Sequence, residues 1–243
     1  MVGPEVIKKI RPRPYWVRKN VGFFALLVGS LLAKIKVTGR WHLPQKGPYI
    51  IACNHFSYVD PAFFKYAIQK PICFLAASDQ EIAKHFMWFI YLYGFIPIDR
   101  KRLAPSTIKL AKKALKKGDI LGIFPEGGQT VEGELREPKN GAVFLSSIEN
   151  VPIIPLAIYG AETAWENVFQ GIRSRVRINI GKPFGPFILS GSKNERDEML
   201  KKNGREMITR IAALLPEKNH GICSGDKKIF KYQKENGITP KPV

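Results

Sequence analysis

Apolar positions in this chain gather into short unbroken runs, and longer amphipathic stretches lie between them. Residues 49–53, 72–76, 120–124 and 151–159 are apolar at nearly every position, the pattern of strands covered on both faces. Residues 95–98 form a shorter run. Residues 175–180 alternate Val176, Ile178 and Ile180 with Arg175, Arg177 and Asn179, which predicts a strand with one wet face. The stretches 62–68, 79–93, 106–117, 142–148 and 195–215 predict helices. In 106–117, Ile108, Leu110, Ala111, Ala114 and Leu115 make one apolar side and the lysines the other. Residues 37–41 predict a short edge strand. Pro152 and Pro155 have no N–H to give a ladder, so 151–159 is also expected at a sheet edge. Strands alternating with helices predict an α/β fold: one layered domain with a mixed, mostly parallel central sheet flanked by helices.

The two ends of the chain depart from this pattern. Residues 1–20 carry Lys8, Lys9, Arg11, Arg13, Arg18 and Lys19 against one acid, Glu5, and Pro12 and Pro14 argue against a regular helix there. Residues 21–33 are then uncharged and apolar, a run of thirteen, short of the ~20 needed to span a bilayer. No small-residue cleavage site follows, so the segment is expected to be retained. It reads as a buried first helix or as a helix lying in the membrane interface. The basic flank, Trp16 and the Phe23-Phe24 pair favour the interface. The helix over 79–93, dense in aromatics, has the same two readings, core or lipid. From Pro216 onward the chain is polar and lysine-rich, with little order expected. The expected organisation is a membrane-anchoring segment over 1–36, an α/β domain over 37–215 and a polar tail over 216–243.

Charge sharpens the picture. The 243 residues hold 39 Lys and Arg against 20 Asp and Glu, a formal charge of +19, which implies an anionic partner. Aromatics interleaved with exposed basic residues would suit nucleic acid. Here they cluster in apolar runs, which points to lipid. Cys53, Cys73 and Cys223 are odd in number and form no C-x-x-C pair. They suggest neither a disulfide framework nor a metal site, and they fit a reducing compartment.

Chemistry is concentrated at three strand ends. After the run 49–53 the chain breaks at Asn54-His55 and restarts at Asp60-Pro61, where Pro61 suits the first helical position and Asp60 the cap before it. Of the four histidines, His55 alone has an Asp five residues on. A neutral imidazole there would take a proton from an attacking hydroxyl while Asp60 fixes its tautomer. The plainer alternative is a helix cap beside a satisfied polar residue. Arg100 follows the 95–98 strand and suits a phosphate or carboxylate held by two bonds, or is one of a solvated charge cluster. Glu126, before Gly127 and Gly128, would orient an acceptor hydroxyl or brace the histidine loop, or would simply cap a tight turn. The N–H groups of the glycines can face an anion.

Asn54-His55 with Asp60, Gly94-Phe95-Ile96-Pro97-Ile98-Asp99-Arg100, Phe124-Pro125-Glu126-Gly127 and Val151-Pro152-Ile153-Ile154-Pro155 together resemble the four ordered sequence blocks of the glycerolipid acyltransferases. The resemblance covers roughly residues 37–182. It implies acyl transfer from acyl-CoA or acyl carrier protein to a lysolipid hydroxyl, with 1-acyl-sn-glycerol-3-phosphate as the leading acceptor. His55 would be the base and Asp60 its partner, while Asn54, Gly94, Arg100, Glu126, Gly127 and Gly128 would bind substrate. It implies no cofactor and no metal. The implied partners are anionic membrane lipids, the lysolipid and the thioester donor, at the cytoplasmic face of a membrane. The alternatives are another lysophospholipid or glycolipid acceptor, or a non-catalytic basic membrane-binding protein. The family pattern continues Gly-Thr-Arg-Ser after the glutamate, whereas this chain reads Gly127-Gly128-Gln129-Thr130.

Overall fold

The computed structural model describes residues 3–78, 90–99 and 104–243, the side chains at 24, 25, 27, 28, 31 and 32 excepted. Seven strands make one sheet: β1 (Ala33–Thr38), β2 (Tyr49–Cys53), β3 (Ile72–Ala77), β4 (Ile96–Ile98), β5 (Ile120–Ile123), β6 (Ile153–Tyr159) and β7 (Ser174–Ile180). Their order is β1-β7-β6-β2-β5-β3-β4. Every neighbouring pair runs parallel except β6 and β7. The mixed, mostly parallel sheet predicted from the apolar runs is therefore present, and β2, which precedes His55, lies near its middle.

Eight helices bear on the argument: α1 (Pro4–Ile7), α2 (Tyr15–Leu32), α3 (Asp60–Ile68), α4 (Pro105–Lys116), α5 (Gly141–Glu149), α6 (Ala164–Phe169), α7 (Lys193–Ala212) and α8 (Lys228–Asn236). One face of the sheet buries Ile50, Leu121, Ile153 and Ala157 against Leu115, Leu145, Ile208 and Ile211 of α4, α5 and α7. The other buries Ile51, Phe74, Ile154 and Ile178 against Ile7, Phe63, Phe64 and Ala164 of α1, α3 and α6. Alternation along each strand divides its side chains between the two cores.

Several expectations are corrected. β6 is an interior strand, between β7 and β2. Its ladder with β7 starts at Leu156, opposite Ile180, so Pro155 faces Gly181 at the end of the ladder, where its missing N–H forfeits only the one terminal bond to that residue. Its carbonyl accepts from Gly181 N at 2.9 Å. A side chain at 181 would meet the proline ring, because a Cβ there would sit 2.8 Å from Pro155 Cγ. The first strand occupies Ala33–Thr38 and Arg40–His42 is a 3-10 turn, so the expected boundary at residue 36 falls inside β1. Prolines in the basic segment do not exclude helix there, since Pro14 is the N-cap of α2, which starts at Tyr15. Arg18, counted with the basic flank, is buried, donating to Asp119 Oδ1 at 2.8 Å and to Cys73 Sγ at 3.1 Å. Of the aromatic helix expected over 79–93, only residues 90–93 are described, and they are helical.

The chain beyond Pro216 is folded. Short 3-10 turns lead into α8, and Cys223, Ile229, Tyr232 and Ile238 join the core beneath α7. Arg210 of α7 lies over the rings of Phe184 and Tyr232, at 4.8 and 4.1 Å, and pairs with Glu206 and Glu235.

Candidate active site

Parallel strands β2, β5 and β6 finish at the same end of the sheet, where open α/β sheets carry their ligands. β2 stops at Cys53, and Asn54 closes the gap to β6: its Nδ2 donates to Ile158 O and its Oδ1 accepts from Ile158 N, both at 2.8 Å. His55 comes next. Its Nδ1 lies 3.0 Å from Asp60 Oδ2, and the same oxygen accepts from Phe56 N at 2.7 Å and Ser57 N at 2.8 Å. Asp60 is the first residue of α3, after Val59 at the cap. Its carboxylate thus holds the loop behind it rather than capping the helix ahead.

Asp60 is fully buried, and its Oδ1 has no hydrogen-bond partner. Burial pushes its carboxyl above the usual range, while the hydrogen bond and charge of His55 and the N–H groups of Ser57 and Phe56 pull it down. The imidazole stacks on Phe124 with ring centroids 4.3 Å apart and 23° between planes. With Nδ1 as donor to Asp60, Nε2 carries the lone pair, and the side chain is 19% exposed. A base held on one face by an aromatic ring and at one nitrogen by a carboxylate can take a proton only at the other nitrogen.

Glu126, in the turn after β5, braces this loop. Its Oε1 accepts from His55 N at 3.1 Å. Its Oε2 accepts from Thr130 Oγ1 and Arg136 N, both at 3.0 Å. Burial pushes this carboxyl up as well, against the pull of those donors. Thr130 N donates to His55 O at 2.8 Å, and Gln129 Nε2 donates to Phe56 O at 3.2 Å. Gly127 has φ of +75°, a conformation in which any side chain would be strained, and Gly128 follows it in the same turn. The loops after β2 and β5 are therefore locked together by their own polar groups.

Of the residues singled out in the sequence, His55, Asp60, Glu126, Gly127 and Gly128 meet at this edge. Asn54 is buried, with its amide bonded to β6. Gly94 ends the helical residues 90–93 with φ of +72° and packs on the backbone of Arg11. Arg100 lies outside the described residues. Sequence reasoning missed Phe124 as the ring beneath the imidazole, and Thr130 and Arg136 as donors to Glu126. Phe124 had a signal, since it ends the apolar run before Glu126; nothing local marks Arg136. Among the described residues no group of three or more His, Cys, Asp or Glu is placed to hold a metal ion. Cys53, two residues from His55, is buried in the core, where burial pushes its thiol well up.

A family model described as Acyltransferase matches residues 34–159, the stretch that contains the histidine loop and the Glu126 turn. The 1-acyl-sn-glycerol-3-phosphate acyltransferase of Bacillus subtilis is 32% identical over 155 residues, covering 63% of this chain and 75% of that one. The enzyme of the same name from Streptococcus pneumoniae is 29% identical over 196 residues, 77% and 70% of the two chains. That from Saccharomyces cerevisiae is 28% identical over 234 residues, 89% and 76%. The crystal structure of the 1-acyl-sn-glycerophosphate acyltransferase of Thermotoga maritima superposes with a TM-score of 0.56 at 22% identity, over 79% of this chain and 80% of that one. At that identity the superposition establishes the fold.

Proposed function

This chain belongs to the glycerolipid acyltransferase family, and from that membership we propose that it acylates the free hydroxyl of 1-acyl-sn-glycerol-3-phosphate with an acyl group drawn from acyl-CoA or acyl carrier protein, yielding phosphatidic acid. The observation that carries the reading is the His55–Asp60 contact of 3.0 Å at the carboxyl end of β2. The acceptor hydroxyl oxygen attacks the thioester carbonyl carbon as its proton passes to His55 Nε2. Asp60 steadies the imidazolium that forms. The tetrahedral intermediate collapses, the carbon–sulfur bond breaks, and the leaving thiolate takes the proton from Nε2. Glu126 keeps the histidine loop in register with the acceptor site, and Arg100 holds the acceptor phosphate.

The protein works as a monotopic or peripheral enzyme at the cytoplasmic face, attached through the exposed side of α2. The support is α2: Tyr15, Trp16 and Phe23 are exposed on it, and no described helix is long and apolar enough to cross a membrane. Gln129 favours a second acceptor class, because its amide is turned inward to Phe56 O and supplies no cation. A lysophospholipid with a larger head group, whose phosphodiester carries less charge than a terminal phosphate, or a glycolipid acceptor would depend less on one. The deciding experiment is thiol release by purified protein from acyl-CoA and from acylated carrier protein across a panel of lysolipids. Release that depends on lysophosphatidate supports the first acceptor. Release with no dependence on any lysolipid contradicts the proposal.

A further inference from the structure

One ordered concentration of the cationic surplus lies on two neighbouring strands. β1 and β7 pair in parallel with Lys34 beside Arg175 and Lys36 beside Arg177. Paired residues project to the same face, so four cations stand side by side. The alternate positions Ala33, Ile35, Val37, Val176 and Ile178 turn to the core. Lys34, Lys36 and Arg175 are exposed and Arg177 is half-buried. Like charges directly abreast repel, yet among the described residues none of the four has a carboxylate within salt-bridge distance. Lysines on an edge strand deter pairing with other chains, which accounts for Lys34 and Lys36. It does not account for Arg175 and Arg177, because β7 has a neighbour on each side.

The ladder sits at the working end of the sheet. β7 runs against β6, with Arg177 opposite Tyr159, so its first residues flank the end where β2 and β6 finish. At ~4.8 Å per strand spacing, β7 lies about 10 Å and β1 about 14 Å across the sheet from β2, the strand that leads to His55. Apolar surface lies at the same sheet edge, on the opposite face. α2 ends at Leu32, two residues before Lys34. Arg173 donates to the carbonyls of Ser30 at 2.7 Å and Ala33 at 3.2 Å, tying the end of α2 to the turn between α6 and β7. That turn and α6 expose Phe169, Ile172 and, in part, Trp165.

We propose that the ladder of Lys34, Arg175, Lys36 and Arg177 binds anionic phospholipid head groups and seats the carboxyl edge of the sheet on the membrane. The inference rests on the lipid acceptor proposed above, which has to pass from the bilayer to His55. Cations on one face and exposed aromatics on the other, meeting at one edge of the sheet, match the charged and apolar layers of a bilayer interface. A nucleic acid would call for aromatics among the cations themselves.

The test is sedimentation of the full chain with vesicles of phosphatidylcholine alone and with added phosphatidylglycerol. Each neutralised cation should weaken partition to the anionic vesicles about fivefold. The variant K34Q/K36Q/R175Q/R177Q should therefore lose two to three orders of magnitude, and the charge-conserving K34R/K36R/R175K/R177K should lose almost none. Circular dichroism and the thermal midpoint check that both variants are folded, and Arg175→Gln alone should show the single fivefold step. Unchanged partition of the quadruple variant, or an equal loss on phosphatidylcholine alone, overturns the proposal. So does a rise in KM for the acyl donor measured in neutral detergent micelles, which would make the ladder a donor site. Salt-sensitive partition through the ladder by a protein that releases no thiol with any lysolipid would uphold this surface and sink the acyltransfer reading.

Discussion

Two stretches of the same sheet end treat charge in opposite ways. At β2 and β5, Asp60 Oδ2 takes three donors and Glu126 takes three more. At β1 and β7, four cations lie abreast with no carboxylate within salt-bridge distance among the described residues. Groups that must keep their geometry through a reaction are bonded from within, because a misplaced base loses rate steeply. Groups with no partner inside the fold are open to one outside it. Lys65 of α3 is a third kind of charge, buried and, among the described residues, with no carboxylate within salt-bridge distance. α2 covers it at Gly22, and burial brings its ammonium down to about 8.

The largest predicted effect breaks the internal bonding at its centre. Asp60→Asn keeps an acceptor for Phe56 N and Ser57 N but removes the charge that steadies an imidazolium. Its turnover should fall by ~10²–10⁴, the range for disabling a positioned acid–base group. A loss below fivefold would mean that Asp60 only shapes the loop. Next is Glu126→Gln, which sets an amide N–H₂ against N–H and O–H donors. An unsatisfied buried donor costs about 1–3 kcal/mol, so thiol release should drop about ten- to a hundredfold and the thermal midpoint should fall with it. A drop in rate with no loss of stability would assign Glu126 to substrate rather than to the brace.

The comparison also has a pH signature. Asp60 has a folded pKa above its unfolded value, so the folded state holds the proton more tightly. Its contribution to stability is full below the unfolded pKa and is lost as pH rises through the folded one. The midpoint of Asp60→Asn relative to the parent should therefore climb between acid and neutral pH, while its activity stays low. A constant difference across that range would show that burial does not strain the carboxylate. The smallest effect is Lys65→Met. A lysine held near 8 costs stability while the unfolded chain is protonated there. The variant should gain at least ~2–4 °C at neutral pH, the shift that about 1 kcal/mol produces in a chain of this size. That gain should shrink as pH rises from about 8 toward the ordinary 10.5.

How legible each part was follows from how local its cause is. The break at Asn54-His55 and the restart at Asp60 could be read because the strand run, the turn and Pro61 lie within a dozen residues. The sheet class was legible because parallel strands are apolar on both faces. The interior place of β6 was not, since the prolines are tolerated only because β7 ends opposite Leu156 and Gly181 leaves room for a ring. The work of Asn54 also rests on a distant partner, Ile158. Glu126 could be read as a brace, but not which atoms it braces: His55 is 71 residues before it and Arg136 ten after. Arg18 looked like surface charge until Asp119, 101 residues on, supplied its partner.

The central claim is that the acceptor's own hydroxyl attacks the thioester with His55 as base. It is tested most directly by rapid-quench thiol release, with and without lysophosphatidate, for the parent and for His55→Ala. The account predicts release only when both the acceptor and His55 are present, with His55→Ala slower by ~10²–10⁴. A burst of thiol equal to the enzyme in the absence of acceptor, or undiminished release by His55→Ala, would contradict it.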